Sequence, residues 1–178
     1  MSLLWQDAIQ TAHEYTQHNN LFAIRHVIAT HPTADWIVKV DDDVAMREGA
    51  FARMHDAQRQ AARDGLDVLC VSGIHTINER IVTQYDGYAI THGACNVAIL
   101  YRKADWIRLL AELPESLSLR DGFDLAFVWQ YAPRCRPGAV PISLTPSVVY
   151  HTGFNGIHVR NADLNSDYAG SLEDIAVQ

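Results

Sequence analysis

Three consecutive carboxylates, Asp41, Asp42 and Asp43, are the residues of this sequence best suited to chemistry. Adjacent carboxylates repel one another and cannot be buried without a counter-charge, for which a divalent cation is the usual choice. Carboxylate oxygens suit hard ions such as Mg²⁺ or Mn²⁺, and Mg²⁺ is typically held by one or two carboxylates together with substrate phosphates. The alternative interpretation is a solvated acidic turn, which is the better one for three aspartates without further context.

The residues before the acids supply that context, because they predict a buried strand. Trp36, Ile37, Val38 and Val40 are aromatic or β-branched residues in a run of strand length. The chain would leave the sheet where the charges begin. Ligands of open α/β sheets bind beyond the carboxyl ends of strands, so this position favours a functional role for the acids.

Two later segments contain further candidate residues. A turn of small residues at Gly93 and Ala94 leads into an apolar strand. A tight turn that has no function needs small residues as well, so the turn also has a purely structural interpretation. Asp121 and Asp124 stand at the start of an apolar helix, where carboxylates interact favourably with the helix dipole. The two aspartates therefore have a purely structural alternative, as helix-capping residues.

A third segment ends in a histidine. A short strand over residues 148–150 is predicted to deliver His151 into a glycine-rich turn that includes Asn155 and Gly156. Turns rich in glycine and asparagine can surround a diphosphate with backbone N–H groups. A single histidine after a strand is more often structural, but the three acids upstream favour a role in metal binding.

The residues around the acids resemble a known family. Asn20-Leu21, Arg25 and the run from His31 to Val44 resemble the segment that leads into the DXD motif of β1,3-galactosyltransferase and Fringe-type glycosyltransferases, which have the GT-A fold. In that family, Asn-Leu and a basic residue precede Cys-Pro and a Lys-Val/Thr-Asp-Asp-Asp strand. His31 stands here in place of the usual cysteine. The resemblance is more specific than a DXD motif alone.

The resemblance implies a metal-dependent glycosyltransferase that uses a nucleoside-diphosphate sugar, by family analogy a UDP sugar, and a glycan or other hydroxyl acceptor. It implies that an aspartate at 121 or 124, with Asp121 favoured, is the catalytic base or contacts the donor sugar. The implied ligands of Mn²⁺ or Mg²⁺ are Asp41, Asp43 and His151. The implied donor-binding residues are Asp41, Asp42, Gly93, Ala94, Asn155 and Gly156.

Two other functions compete with this one. A complete GT-A domain usually begins with a strand-helix-strand unit that binds uridine, whereas this sequence reaches its acids by Asp41. We therefore expect a fold that lacks this unit, either because the sequence is a fragment or because the nucleotide is held differently. A non-catalytic, degenerate GT-A-like module that binds glycans or a partner protein is the first alternative. A metal-dependent phosphohydrolase is the second, although no nucleophile motif surrounds Asp41.

Composition describes an ordinary globular protein. The chain has 178 residues, of which 48% are hydrophobic and 20% charged, and its formal net charge is -7, which argues against a general nucleic-acid surface. No apolar run approaches membrane-spanning length and no signal peptide is evident, so a cytoplasmic protein is predicted, unless an anchor lies outside this sequence. The three cysteines lack metal-ligand spacing.

The apolar periodicity predicts an α/β fold and a polar tail over residues 161–178. The resemblance implies that residues 1–160 form one GT-A-like domain, with a mixed sheet flanked by helices. A strand, helix, strand unit supports this class. The predicted helices are residues 3–18, 21–30, 49–63, 103–113 and 125–131. The predicted strands are residues 36–40, 67–72, 97–101 and 148–150, with an edge strand at 81–85.

Overall fold

A six-stranded mixed sheet flanked by helices forms the frame of the protein. The computed structural model describes residues 19–76, 79–95, 97–112 and 131–151. The helices are α1 (19–30), α2 (Ala50–Arg63), α3 (Lys103–Glu112) and the short α4 (Ala132–Cys135). The strands are β1 (Trp36–Val40), β2 (Val44–Met46), β3 (Val68–Ser72), β4 (Ile81–Gln84), β5 (Tyr88–Thr91), β6 (Ala98–Arg102), β7 (Val140–Leu144) and β8 (Val149–His151).

The strand order of the sheet is β1-β6-β3-β7-β5-β4. Only the β3–β7 pair is parallel among the pairs of this sheet, and the other four are antiparallel. Because β6 is antiparallel to both β1 and β3, the strands β1, β3 and β7 point in one direction. Their carboxyl ends therefore lie at the same edge of the sheet, which is where α/β proteins place their ligands.

Helices cover both faces of this sheet. On one face, α2 buries Met54 and Ala61 against residues of β3 and β7 such as Val71 and Ile142. On the other face, Ile24 of α1 and Trp106 of α3 pack with Ile37, Ile99 and Tyr101. The central strand β3 is buried along its whole length, as expected for a strand with helices on both sides.

Helix α2 follows the predicted pattern closely. Its buried residues Ala50, Met54, Ala57 and Ala61 recur every three or four positions and so form one face of the helix. The chain leaves the helix through Gly65, whose φ of 83° is a left-handed conformation that glycine adopts without strain. The strand-helix-strand unit predicted from this part of the sequence is thereby confirmed.

The strands β2, β5 and β7 are structural findings that the sequence interpretation lacked. Pro141 lies in the second position of β7, inside the sheet, where proline cannot donate a ladder hydrogen bond. The register between β3 and β7 shifts between Val68 and Cys70, opposite this proline, and this irregularity accommodates it. The edge position of β4 was predicted correctly.

A buried ionic network joins α3, α4 and the start of β3. The Asp105 carboxylate, 5% exposed at the start of α3, accepts hydrogen bonds from the Tyr131 hydroxyl at 3.0 Å and the Arg136 guanidinium at 2.5 Å. Arg136 also forms an ion pair with Asp67 and donates to the Val68 carbonyl oxygen at 3.2 Å. Burial, together with the charge of Asp105, raises the pKa of Tyr131 to about 12.

Several predicted elements lie outside the described residues. These are the helix at 3–18, most of the helix at 125–131 and the tail at 161–178. Within the ranges that the structure describes, no helix has the length and apolar character needed to cross a membrane.

Candidate functional site

The three acids occupy the connection between the large sheet and a second, two-stranded sheet. The backbone N–H of Asp41 donates to the Val97 carbonyl oxygen at 2.8 Å, which extends the β1–β6 ladder by one residue. The chain then turns through Asp42 and Asp43 into β2, which begins at Val44. Asp42 is exposed, whereas Asp41 and Asp43 are half-buried.

Strand β8 returns the chain to this connection. It pairs antiparallel with β2, in a register that sets His151 opposite Val44 and Val149 opposite Met46. The backbone of His151 is therefore opposite the residue that directly follows Asp43. The sequence predicted a strand over residues 148–150 that delivers His151 into a glycine-rich turn, and the observed strand β8 spans Val149–His151.

Gly73 connects this small sheet to the large one. It follows β3 directly, donates its N–H to the Ala98 carbonyl oxygen at 2.9 Å, and accepts a hydrogen bond from the Val148 N–H at 2.9 Å. A Cβ at this position would lie 2.8 Å from Val149 Cγ2 and 3.3 Å from Met54 Sδ. Only glycine fits without displacing its neighbours, so β8 depends on Gly73 for its position.

The Gly73→Ala variant is therefore expected to lower the free energy of unfolding by about 1–3 kcal/mol, as overpacking does elsewhere. The matched control is Gly93→Ala, because among the described residues a Cβ on Gly93 would meet no heavy atom within 4 Å. Urea unfolding of both variants measures the difference. Adding Val149→Ala to Gly73→Ala should recover part of the loss, and equal stability of the two single variants would contradict this account.

The small-residue turn precedes Val97, whose carbonyl oxygen accepts the hydrogen bond from the Asp41 N–H. The Thr91 hydroxyl donates to the Gly93 carbonyl oxygen at 2.6 Å, and the Ser72 hydroxyl donates to the Cys95 carbonyl oxygen at 3.2 Å. Ala94 is buried in the core on the α1 and α3 side. Since Gly93 has open space around it, close packing within the described residues does not explain the glycine at this position.

One of the acids has a cation next to it in the strand. The Lys39 ammonium forms an ion pair with Asp41, and the side chains of these residues are 10% and 35% exposed. Lys39 points to the face of the sheet opposite Val40, as the alternation of a strand requires. The ion pair with Asp41 was not predicted.

The structure describes some of the predicted site residues and not others. Asp41, Asp42 and Asp43 lie between β1 and β2, where Asp43 directly precedes the residue opposite His151, and Gly93 and Ala94 lie in the turn before β6. The candidate catalytic residues Asp121 and Asp124, with Asn155 and Gly156 of the candidate diphosphate turn, fall outside the described ranges. Within those ranges, no group of three or more His, Cys, Asp or Glu side chains is arranged to hold a metal ion.

Sequence reasoning missed Gly73 and the pairing of β2 with β8. A signal for Gly73 existed, because a glycine directly after a continuous apolar strand often marks a close backbone approach. The signal for β2 was weaker, since Val44-Ala-Met46 is too short to show a period.

No protein-family model matches the chain, and no curated protein matches it either.

Proposed function

We propose that this protein is a metal-dependent glycosyltransferase of the GT-A type, which transfers a sugar from a nucleoside-diphosphate donor to an acceptor hydroxyl. The observation that carries the proposal is the register of β2 with β8, which sets His151 opposite Val44, next to Asp43. Residues more than a hundred positions apart in the chain thus meet at the carboxyl end of β1. A solvated acidic turn would not require this pairing.

The residue types proposed as ligands are ones that bind divalent cations in other proteins. A carboxylate from Asp43 and an imidazole from His151 suit Mn²⁺ or Mg²⁺ when substrate phosphates complete the coordination. Such an ion, when bound, neutralises negative charge on a departing diphosphate. The three carboxylates alone would repel that diphosphate, so donor binding is expected to depend strictly on the cation.

The remaining roles are those that the family resemblance implies. Gly93 and Ala94 would lie beside the donor sugar, and Asn155 and Gly156 would offer backbone N–H groups to the diphosphate. Asp121, or Asp124 in its place, would take the proton of the acceptor hydroxyl as that oxygen attacks the anomeric carbon. A UDP sugar remains the proposed donor, and a glycan the proposed acceptor.

The test is a calorimetric titration of UDP into the full chain with and without Mn²⁺, followed by a screen of UDP sugars for transfer to simple glycosides. We expect UDP to bind only with Mn²⁺ present, and His151→Ala to abolish that binding. The matched control is His26→Ala, an exposed histidine of α1, which should bind UDP normally. Metal-dependent binding of UDP without sugar transfer would support the non-catalytic module. Release of phosphate without sugar transfer would support the phosphohydrolase. Absence of UDP binding by the folded protein would overturn the proposal.

A further inference from the structure

We propose that the outer edge of β4 is a dimerisation surface, on which β4 of a second copy of this chain pairs in antiparallel orientation. This surface, the β4 edge, comprises Ile81–Gln84 and the flanking residues Arg80 and Asp86. Strands β4 and β1 are the two ends of the large sheet, so the β4 edge lies across the sheet from the acids that follow β1. The inference is thus independent of the proposed sugar transfer.

The β4 edge is open to another strand. No described strand pairs with its outer side, and all four residues of β4 are exposed. Ile81 and Val82 are 39% and 53% exposed although both are apolar. Soluble proteins often protect such an edge with a charged residue or a proline, and β4 contains neither. An uncharged edge rich in β-branched residues is a template for pairing with another chain.

Hydrogen bonds at both ends of β4 fix the direction of its outer backbone groups. The Arg80 carbonyl oxygen accepts a hydrogen bond from the His92 N–H at 3.1 Å, and the Tyr85 N–H donates to a carbonyl oxygen of β5 at 2.9 Å. The C=O and N–H of a trans peptide point in opposite directions. The Ile81 N–H and the Gln84 C=O therefore both point away from β5, so one end of the β4 edge offers a donor and the other an acceptor.

These backbone groups are complementary to those of a second copy related by a twofold axis. An axis perpendicular to the sheet, between Val82 and Thr83, sets Ile81 of one copy opposite Gln84 of the other. The Ile81 N–H then donates to the Gln84 carbonyl oxygen of the second copy, and the symmetry repeats this hydrogen bond. The arrangement is closed, because each copy uses its own β4 edge and leaves none for a third copy.

Charges on either side of β4 favour the same orientation. Arg80 precedes the strand and Asp86 follows it, both are exposed, and neither forms an ion pair within the part of the chain that the structure describes. In the antiparallel dimer, Arg80 of each copy comes close to Asp86 of the other, which gives two pairs of opposite charge. These pairs offset part of the repulsion between copies that each carry a formal net charge of -7.

The pairing surface is small, so we expect a weak and reversible dimer. Strand β4 has four residues, and the register irregularity between Ile81 and Thr83 shortens the stretch that can pair regularly. Interfaces that bury less than about 1,200 Å² are typical of transient complexes. A dissociation constant in the micromolar range is therefore expected.

Sedimentation velocity over a series of micromolar concentrations measures the dimer, in a reducing buffer that keeps the free cysteines from cross-linking copies. We expect the wild-type protein to shift from monomer to dimer as its concentration rises. Ile81→Pro should weaken the dimer by about tenfold or more, because it removes the outward N–H from both copies. The first residue of an edge strand tolerates proline. Ile107→Ala, at another exposed isoleucine, on α3, is the matched control and should dimerise as the wild type does.

A charge swap tests the antiparallel orientation. Arg80→Asp and Asp86→Arg should each weaken the dimer by about fivefold or more, because each variant places like charges together at both ends of the interface. The combined variant should dimerise within about threefold of the wild type, since the two effects cancel in a coupled pair. Arg80→Asp with Asp56→Arg restores the net charge at a distant, exposed position on α2, and should stay as weak as Arg80→Asp alone.

Four results would overturn the inference. They are a wild-type protein that sediments as a monomer throughout the series, an Ile81→Pro variant that is folded by circular dichroism and dimerises as the wild type does, a combined charge swap no stronger than its single variants, and equal recovery with Asp56→Arg. Titration of UDP into Ile81→Pro keeps these outcomes separate from the proposed function, because this variant should bind UDP as the wild type does.

Discussion

Replacing Asp43 by asparagine is expected to abolish the Mn²⁺-dependent binding of UDP while the protein stays folded. Asparagine keeps the shape of the side chain but removes the charge that a hard dication requires. Loss of a residue that only supports a metal ligand already costs about 10- to 100-fold in affinity, so loss of the ligand itself should exceed that range. Calorimetric titration of UDP in the presence of Mn²⁺ measures the effect.

Asp56→Asn is the control for that variant. Asp56 lies on α2, where it forms an exposed ion pair with Arg59, and the two side chains are 62% and 58% exposed. It carries the same charge as Asp43 but lies away from the β1–β2 connection, so its replacement should leave UDP binding unchanged. If Asp43→Asn bound UDP and Mn²⁺ as tightly as Asp56→Asn, the assignment of Asp43 as the metal ligand would be wrong.

The second large effect is expected at Asp105. Its carboxylate is nearly fully buried and paired with Arg136, and removal of one member of a buried ion pair typically costs about 3–5 kcal/mol. Because Asp67 still pairs with Arg136, we expect Asp105→Asn to lower the free energy of unfolding by about 3 kcal/mol, at the low end of that range. Urea unfolding at neutral pH measures the change.

A combined Asp105→Leu and Arg136→Met variant separates pairing from packing. A buried ion pair replaced by apolar residues of similar size is often neutral, so the combined variant should be more stable than Asp105→Asn. Asp56→Asn, which breaks an exposed pair, should cost no more than about 0.5 kcal/mol. Equal losses in Asp105→Asn and Asp56→Asn would mean that the buried network contributes little to stability.

The Asp105 network also bears on the candidate catalytic segment. Asp105 lies in α3, which ends at Glu112, and its partners Tyr131 and Arg136 lie at the start and just after the end of α4. The network therefore holds together the two elements between which Asp121 and Asp124 occur in the sequence. We expect Asp105→Asn to reduce sugar transfer, if transfer is found, more than it reduces UDP binding.

Local signals were sufficient for much of the sheet. A continuous apolar run at β3 and a helical period in α2 reflect burial that the neighbouring residues already specify. The apolar run at β1 predicted a strand correctly but not its burial, because β1 lies at an edge of the described sheet and Val38 and Val40 are exposed. These elements were predicted with boundaries correct to within one residue. The mixed α/β class followed from their order along the chain.

The strand β7 was missed because its local signal conflicts with its environment. Pro141 argues against a strand inside a sheet, and only the shifted register of β3 opposite it removes the conflict. No property of the residues around Pro141 reveals that shift, since it depends on a partner strand about seventy residues earlier in the chain. The exposed strand β4, in contrast, lies at an edge of the sheet and has no partner on its outer side among the described strands. Its residue pattern was therefore sufficient to predict it.

The sequence by itself determined the candidate chemistry: three carboxylates at the end of an apolar strand, and a histidine after a later one. The tertiary structure decided how these residues are arranged. The pairing of β2 with β8, the close approach at Gly73 and the ion pair between Lys39 and Asp41 depend on side chains and strands that meet only after folding. Residue types set which ions and substrates can be bound. Long-range packing sets which of those residues come together, because strands distant in the chain meet only in the folded protein.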